Sequence, residues 1–156
     1  MNKDFTNFYN NLVHLTRNKN IYKDLINKDS YSDRLIIFLF HFAFFLNVFK
    51  SDSLKKDLQN VFDYVFKNLE ISIREIGYGD ASINKKMKDY INLFHLIIKK
   101  IDDWNLIDDN EKKKRIKSLL NLNDIDNLSV YFDKYSVELK NNTLNYYIKS
   151  VIKPKN

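Results

Sequence analysis

The chain has 156 residues, about the length of one domain, and 44% of them are hydrophobic, enough to bury a core of its own. With 2 glycines, 1 proline and no cysteine, the composition excludes turn-rich β-folds, glycine-loop nucleotide sites, disulfides and thiolate metal sites. The formal net charge of +6 comes mainly from lysine in a chain also rich in asparagine, and this compositional bias makes the charge weak evidence for a nucleic-acid partner.

The first predicted elements lie before residue 30. Apolar residues along one helical face predict a first helix from Asp4 to about Thr16, and a short helix from Ile21 to Ile26 follows a polar break. The N-terminus has the features of neither a secretory signal nor a transit peptide, so we expect a cytoplasmic protein. The apolar face of the first helix would carry Phe5, Phe8, Leu12 and Leu15.

The most apolar segment, Leu35 to Phe49, predicts the central helix of a bundle. Ser30 and Asp33 form an approximate capping box at its start. A helix of this length reaches about 22 Å, short of the roughly 30 Å of a hydrocarbon core, which argues against a transmembrane span. We expect His41, within this helix, to be a hydrogen-bonded core residue rather than a metal ligand.

Two long amphipathic helices are predicted next, one on each side of the two glycines. Apolar residues recur at helical spacing in both, and Ser53 and Ser82 stand where they can cap them. The first buried stripe would hold Leu54, Leu58, Val61, Val65, Leu69, Ile73 and Ile76. The second would hold Ile83, Met87, Tyr90, Phe94, Ile97 and Ile101.

The corner between these helices holds both glycines of the chain. Gly77 suits the left-handed backbone position that ends a helix, and Gly79 is expected to permit the turn into the next helix. Asp80 or Ser82 would bond the exposed N–H groups of that next helix. Geometry alone therefore predicts an αα-hairpin corner.

The remaining predicted elements are shorter. Asp108 and Glu111 mark the start of a helix that runs to about Leu122. One or two last helices are predicted within residues 124–152. Together the elements predict an all-α fold, a compact single-domain bundle over residues 1–156 with about six to eight helices and short loops.

The sequence shows no catalytic constellation. The three histidines are far apart and match no metal-binding spacing, and the paired acids Asp102–Asp103 and Asp108–Asp109 do not continue as a diphosphate-binding motif. Neither a nucleophile elbow nor a triad is visible. We therefore expect a protein that is not an enzyme, with no catalytic residue, no metal and no cofactor.

Basic side chains form three clusters in the second half of the chain. Solvated helix faces explain most clusters of this kind, and an anionic membrane surface or ribosomal RNA would also suit them. The clusters are Lys85, Lys86 and Lys88, then Lys99 and Lys100, then Lys112 to Lys114 with Arg115 and Lys117.

The segment from Ile73 to Lys88 resembles the signature of the ubiquinol–cytochrome c chaperone family, which reads close to LREMGVGDLSVPKRMK. The segment RNKNIY at 17–22 is similar to the family's RNPALY. The segment FDYVF at 62–66 is similar to its DLFF. The matching segments occur in the same order as in the family.

Two further segments compare with family elements, one as a match and one as a departure. Asp33 and Arg34, followed by His41, are similar to the family's GRFDMLVLHLFL stretch. Phe94 and His95 depart from its FYGR element. The resemblance spans about residues 8–94, and no specific correspondence is visible beyond residue 105.

The resemblance implies a chaperone that binds newly made cytochrome b and assists the assembly of ubiquinol–cytochrome c reductase. It implies a bacterial member that is cytoplasmic and peripheral on the cytoplasmic face of the inner membrane. The partners expected from it are cytochrome b, the ribosome, a second assembly factor and an anionic membrane surface, with neither DNA nor a small-molecule substrate. The alternative from the basic composition is an RNA- or ribosome-associated helical binding protein.

The resemblance also implies where clients or partners bind. The predicted binding residues at the signature corner are Arg74, Glu75, Gly77, Gly79, Asp80, Lys85, Lys86 and Lys88. The other family-like positions are Arg17, Asn18, Tyr22, Asp33, Arg34 and His41.

Overall fold

The computed structural model describes residues 5–22, 31–120 and 126–149, and within them it contains helices and no strand. This confirms the predicted all-α class and the predicted range of helix number. Short turns of 3₁₀-helix stand at Asp52–Leu54 and Trp104–Leu106. The α-helices are α1 (Thr6–Thr16), α2 (Lys19–Tyr22), α3 (Tyr31–Phe49), α4 (Lys55–Ile76), α5 (Asp80–Ile101), α6 (Asp109–Lys117), α7 (Asp126–Leu139) and α8 (Leu144–Lys149).

Helix α3 is the centre of the packing, as its apolar sequence predicts. Every residue from Ile37 to Phe45 is buried, and helices α1, α5 and α7 all pack against α3. Aromatic rings make the contacts: Phe42 stacks on Phe94 of α5 and Phe44 on Phe132 of α7, each with ring centroids 5.1 Å apart. A helix that is apolar on all sides needs such neighbours because no face of it is suited to water.

The predicted stripe of α5 is confirmed along its whole length, and that of α4 is confirmed except at its last residue. Val61, Val65 and Ile73 of α4 are fully buried, as is Phe94 of α5. Ile76, however, is 56% exposed. The last turn of α4 extends past the core, because residues 74–82 are all exposed before the chain is buried again at Ile83.

Several helix ends differ from the predictions. Ser53 does not cap α4, because the 3₁₀ turn places it before the cap position, where its hydroxyl lies 3.3 Å from that of Ser51. Helix α1 starts at Thr6 rather than Asp4, and α6 ends at Lys117 rather than Leu122. Asp108 caps α6 as predicted, since its carboxylate accepts from the N–H of Glu111 at 2.8 Å.

Two predictions about helix starts fall partly outside the described residues. The predicted helix from Ile21 to Ile26 corresponds to α2, Lys19–Tyr22, and its second half is not described. Ser30 of the predicted capping box is not described either. None of the described helices is both long enough and apolar enough to cross a membrane.

Candidate functional site at the glycine corner

The glycine corner (residues 74–88) turns the chain between α4 and α5. Gly77 follows the last residue of α4 and has φ of +106°, in the left-handed region. Its N–H donates to the carbonyl of Arg74 at 3.0 Å, which satisfies one of the free carbonyls at the helix end. A Cβ built on Gly77 would meet no atom within 4 Å, so the requirement for glycine comes from the backbone alone.

Gly79 does not need to be glycine, contrary to the prediction. It precedes α5 with φ of −72° and ψ of 160°, an extended conformation open to any residue, and space for a Cβ is free. The predicted side-chain caps are also wrong. Neither Asp80 nor Ser82 bonds the N–H groups at the start of α5, because helix α5 already begins at Asp80 and the Asp80 carboxylate faces Arg74 instead.

Arg74 and Asp80 pair across the corner. Nη1 of Arg74 donates to Oδ1 of Asp80 at 2.5 Å, and Nη2 donates to Oε1 of Glu70, one turn earlier on α4, at 3.5 Å. The hydrogen bond that Arg74 donates to Asp80 is the largest cause of the raised pKa of Arg74. The Asp80 side chain is 85% exposed, so the pair stands in water at the tip of the hairpin.

Two apolar side chains are exposed at the same tip. Ile76 is 56% exposed and Tyr78 is 42% exposed. Nζ of Lys86, in the second turn of α5, lies 4.5 Å from the ring centre of Tyr78, which is a cation–π contact. Glu75, Lys85 and Lys88 are exposed around this pair, so the tip combines apolar surface with charges of both signs.

The other family-like positions do not converge on the glycine corner. Arg17 and Asn18 lie exposed after α1, and Tyr22 is the last residue of α2, with a side chain outside the described part. Asp33, half-buried, and Arg34, exposed, lie near the start of α3. Among the described residues no hydrogen bond or ion pair joins any of them to residues 74–88.

His41 is a core residue, as predicted. It is fully buried in α3, with Nδ1 2.8 Å from the Ile37 carbonyl and Nε2 2.5 Å from the Tyr131 hydroxyl. Burial lowers its pKa to about 4, so the imidazole is neutral at physiological pH. The two hydrogen bonds satisfy both ring nitrogens, which identifies a structural histidine.

A polar network between α6 and α7 was not predicted from the sequence. The indole N–H of Trp104 donates to Oδ1 of Asp133 at 2.7 Å, and Nζ of Lys112 donates to the same oxygen at 2.9 Å. Trp104 is buried and the Lys112 side chain is 13% exposed. Because Asp133 is distant in sequence from both donors, no local pattern marks it.

The third basic cluster is divided between interior and surface. Lys113 pairs with Asp126 at 2.8 Å, and Arg115 pairs with both Asp103 and Glu111. Three members of the cluster, Lys112, Lys113 and Arg115, are therefore paired with carboxylates within the fold and do not face solvent freely. In the described residues, no group of three or more His, Cys, Asp or Glu side chains is placed to hold a metal ion.

Comparison with known proteins gives one match. A family model described as Ubiquinol-cytochrome C chaperone matches residues 23–119. No curated protein and no solved structure matches the chain. The matched segment is more than half of the chain and includes α3 to α6 with the whole glycine corner.

The matched range differs from the extent of the resemblance seen in the sequence, which spans about residues 8–94. The match reaches residue 119 and so includes α6, where no specific correspondence is visible in the sequence. It begins at residue 23, after Arg17, Asn18 and Tyr22, which lie outside it. The positions Asp33, Arg34 and His41 lie inside it.

Proposed function

The chain belongs to the ubiquinol–cytochrome C chaperone family, and from that premise we propose that it binds newly made cytochrome b during assembly of ubiquinol–cytochrome c reductase. Membership of the family supports the role of an assembly chaperone for this complex. Cytochrome b as the client is the further step that we propose. The family match across residues 23–119 is the observation that carries the proposal.

We propose that the client or a partner protein binds at the glycine corner. A holdase needs apolar surface that remains accessible in the folded protein, and Ile76 and Tyr78 supply it at the tip of the α4–α5 hairpin. The charged side chains around them suit the polar ends of an apolar client segment. The proposed binding residues are Arg74, Glu75, Gly77, Gly79, Asp80, Lys85, Lys86 and Lys88.

The proposed client also indicates where in the cell the protein acts. A chaperone that holds a membrane subunit acts where that subunit leaves the ribosome and enters the bilayer. We therefore propose a bacterial protein that is peripheral on the cytoplasmic face of the inner membrane, near the ribosome and a second assembly factor. Chemistry is not part of the proposed role, because a holdase acts by binding alone.

The alternative, an RNA- or ribosome-associated binding protein without a client, has less support. It depends on basic surface, and Lys112, Lys113 and Arg115 are paired with carboxylates within the fold. Paired cations contribute less to the counterion release that drives RNA binding. A steep salt dependence of RNA binding would favour this alternative.

Site-specific crosslinking tests the proposed client surface. A photo-crosslinking residue is placed at Tyr78 and, in a matched control, at Tyr146 of α8, which is 50% exposed and lies far from the corner in sequence. We expect cytochrome b to be trapped from position 78 and not from position 146. Trapping from both positions equally would remove the corner as the binding surface.

A deletion strain tests the client itself. The haem b absorbance of membranes is measured in the strain and after complementation with the wild-type chain. We expect loss of the cytochrome b signal in the deletion strain and its return with the wild type. A normal signal in the deletion strain would overturn the proposed role for cytochrome b.

A further inference from the structure

An open cleft of about 550 Å³ lies between the C-terminal end of α5 and helix α6, separate in sequence from the glycine corner. Basic and acidic side chains line it together with one hydroxyl. The lining residues are Lys99, Lys100, Asp102, Asp103, Glu111, Lys114, Arg115 and Ser118. We call this site the lysine cleft.

All three carboxylates of the lysine cleft are already bound to cations. Asp102 accepts from Nζ of Lys50 at 2.6 Å, a lysine that lies outside the lining. Asp103 and Glu111 both accept from the guanidinium of Arg115, Glu111 at 3.0 Å. All three carboxylates thus have cationic partners within the fold, two of them sharing one guanidinium, and none of them pairs with a lysine of the cleft.

The three lysines of the cleft have no such partner. Among the described residues, Lys99, Lys100 and Lys114 form no ion pair, while Lys112, Lys113 and Arg115 on the same helix as Lys114 are all paired. Like charges around one open cavity repel each other. An anion seated between them would relieve that repulsion.

Arg115 adds donors of fixed geometry to the cleft. Its Nε donates to Glu111, and its Nη1 donates to Asp103 and to the Lys100 carbonyl at 2.8 Å. These bonds fix the guanidinium, whose side chain is only 22% exposed, and Nη2 has no hydrogen-bond partner among the described residues. A rigid guanidinium with free N–H groups beside three ammonium groups is the arrangement that favours phosphate oxygens.

From this arrangement we propose that the lysine cleft binds a phosphate group, supplied either by a lipid headgroup or by a free phosphate. The lysines attract an anion over a Debye length of about 10 Å. The fixed guanidinium of Arg115 orients the oxygens of the phosphate group. The inference goes beyond the proposed function and rests on no residue of the glycine corner. Its test and the client test can therefore fail independently.

The test removes the lysine charges and keeps Arg115, whose bonds hold the fold. The triple variant Lys99→Gln, Lys100→Gln, Lys114→Gln is compared with Lys67→Gln, Lys134→Gln, Lys140→Gln, which has the same net charge and changes exposed lysines elsewhere. Co-sedimentation is measured with phosphatidylcholine vesicles, with and without phosphatidylglycerol. Inorganic phosphate is titrated against each protein while the amide signals of Lys100 and Ser118 are followed by NMR.

We expect the cleft variant to lose binding and the control to retain it. If a lipid supplies the phosphate, the loss of each lysine is expected to lower the affinity for phosphatidylglycerol vesicles roughly fivefold. The loss of all three in the cleft variant then lowers it roughly a hundredfold. If the source is free phosphate, the amide signals of the cleft shift on titration in wild type and control, and vesicles do not bind.

Three outcomes would overturn the inference. The first is that neither vesicles nor phosphate bind the wild-type protein. The second is an equal loss of binding affinity in both triple variants, because binding would then depend on the net charge of the protein and not on a specific site. The third is binding of a duplex RNA probe that is lost only in the cleft variant while vesicles and phosphate have no effect, because this identifies a nucleic-acid surface.

Discussion

Arg74 and Asp80 join the two helices of the glycine corner: Nη1 of the arginine lies 2.5 Å from Oδ1 of the aspartate, with Gly77 between them in the chain. The contact raises the pKa of Arg74, chiefly through the hydrogen bond that the guanidinium donates to Asp80. Since the aspartate side chain is 85% exposed, water screens the pair and it contributes little to folding. The pair stands at the same hairpin tip as the exposed side chains of Ile76 and Tyr78.

The first prediction separates binding from stability at this pair. Arg74→Ala or Asp80→Asn is expected to leave the thermal midpoint nearly unchanged, because the pair is solvent-exposed. Each is expected to reduce the cytochrome b that a deletion strain assembles. The haem b absorbance of membranes is measured beside the melting of the purified variants. If cytochrome b falls only in variants whose thermal midpoint also falls, the pair has a structural role and the prediction is wrong.

The second prediction concerns the backbone at the corner. Gly77→Val is expected to lower the free energy of unfolding by about 1 to 2 kcal/mol, because a β-branched residue resists positive φ. Gly77→Asn is expected to lose much less, since asparagine tolerates this conformation. Gly79→Val is the matched control, because Gly79 has ordinary negative φ and free space for a side chain. Denaturant unfolding of the three variants checks this, and equal midpoints for both valine variants would contradict it.

The third prediction is an acid-dependent loss of stability from His41. Its pKa is about 4 in the folded chain and about 6.5 when unfolded, so the unfolded state takes up the proton first as pH falls. The contribution of neutral His41 to the free energy of unfolding is fully present above about pH 6.5. As the pH falls to 4, about 3 kcal/mol of this contribution is lost. Unfolding is measured across this range. His41→Gln is expected to flatten the dependence, whereas His95→Gln, at an exposed position, is expected to leave it unchanged.

The fourth prediction concerns Asp133, the acceptor shared by Trp104 and Lys112. Asp133→Ala is expected to lower the free energy of unfolding by about 2 to 4 kcal/mol, because it leaves a buried indole N–H and a largely buried ammonium without an acceptor. Asp126→Ala is the matched control. It breaks an ion pair with Lys113 in which the aspartate is 63% exposed, so a loss of less than about 1 kcal/mol is expected. Equal losses in chemical denaturation would contradict the ranking.

The sequence by itself determined the class of fold, the central helix and the position of the corner. The run Leu35–Phe49 is apolar except for His41 and Asn47 and so has no polar face, which places the helix inside the bundle. Helical spacing set the buried stripes of α4 and α5, and the glycine at 77 ended α4 because few other residues tolerate positive φ. These features depend on neighbours within one or two turns, which is the range over which a pattern is informative.

Tertiary structure alone decided which polar side chains pair and which apolar ones remain exposed. Periodicity placed Ile76 on the buried stripe of α4, yet it is exposed because the hairpin extends past the packed core. The bonds from Trp104 and Lys112 to Asp133 cross 29 and 21 residues of sequence. Such contacts depend on how whole helices are placed against one another, and a helical period specifies the face of each helix without specifying its neighbour.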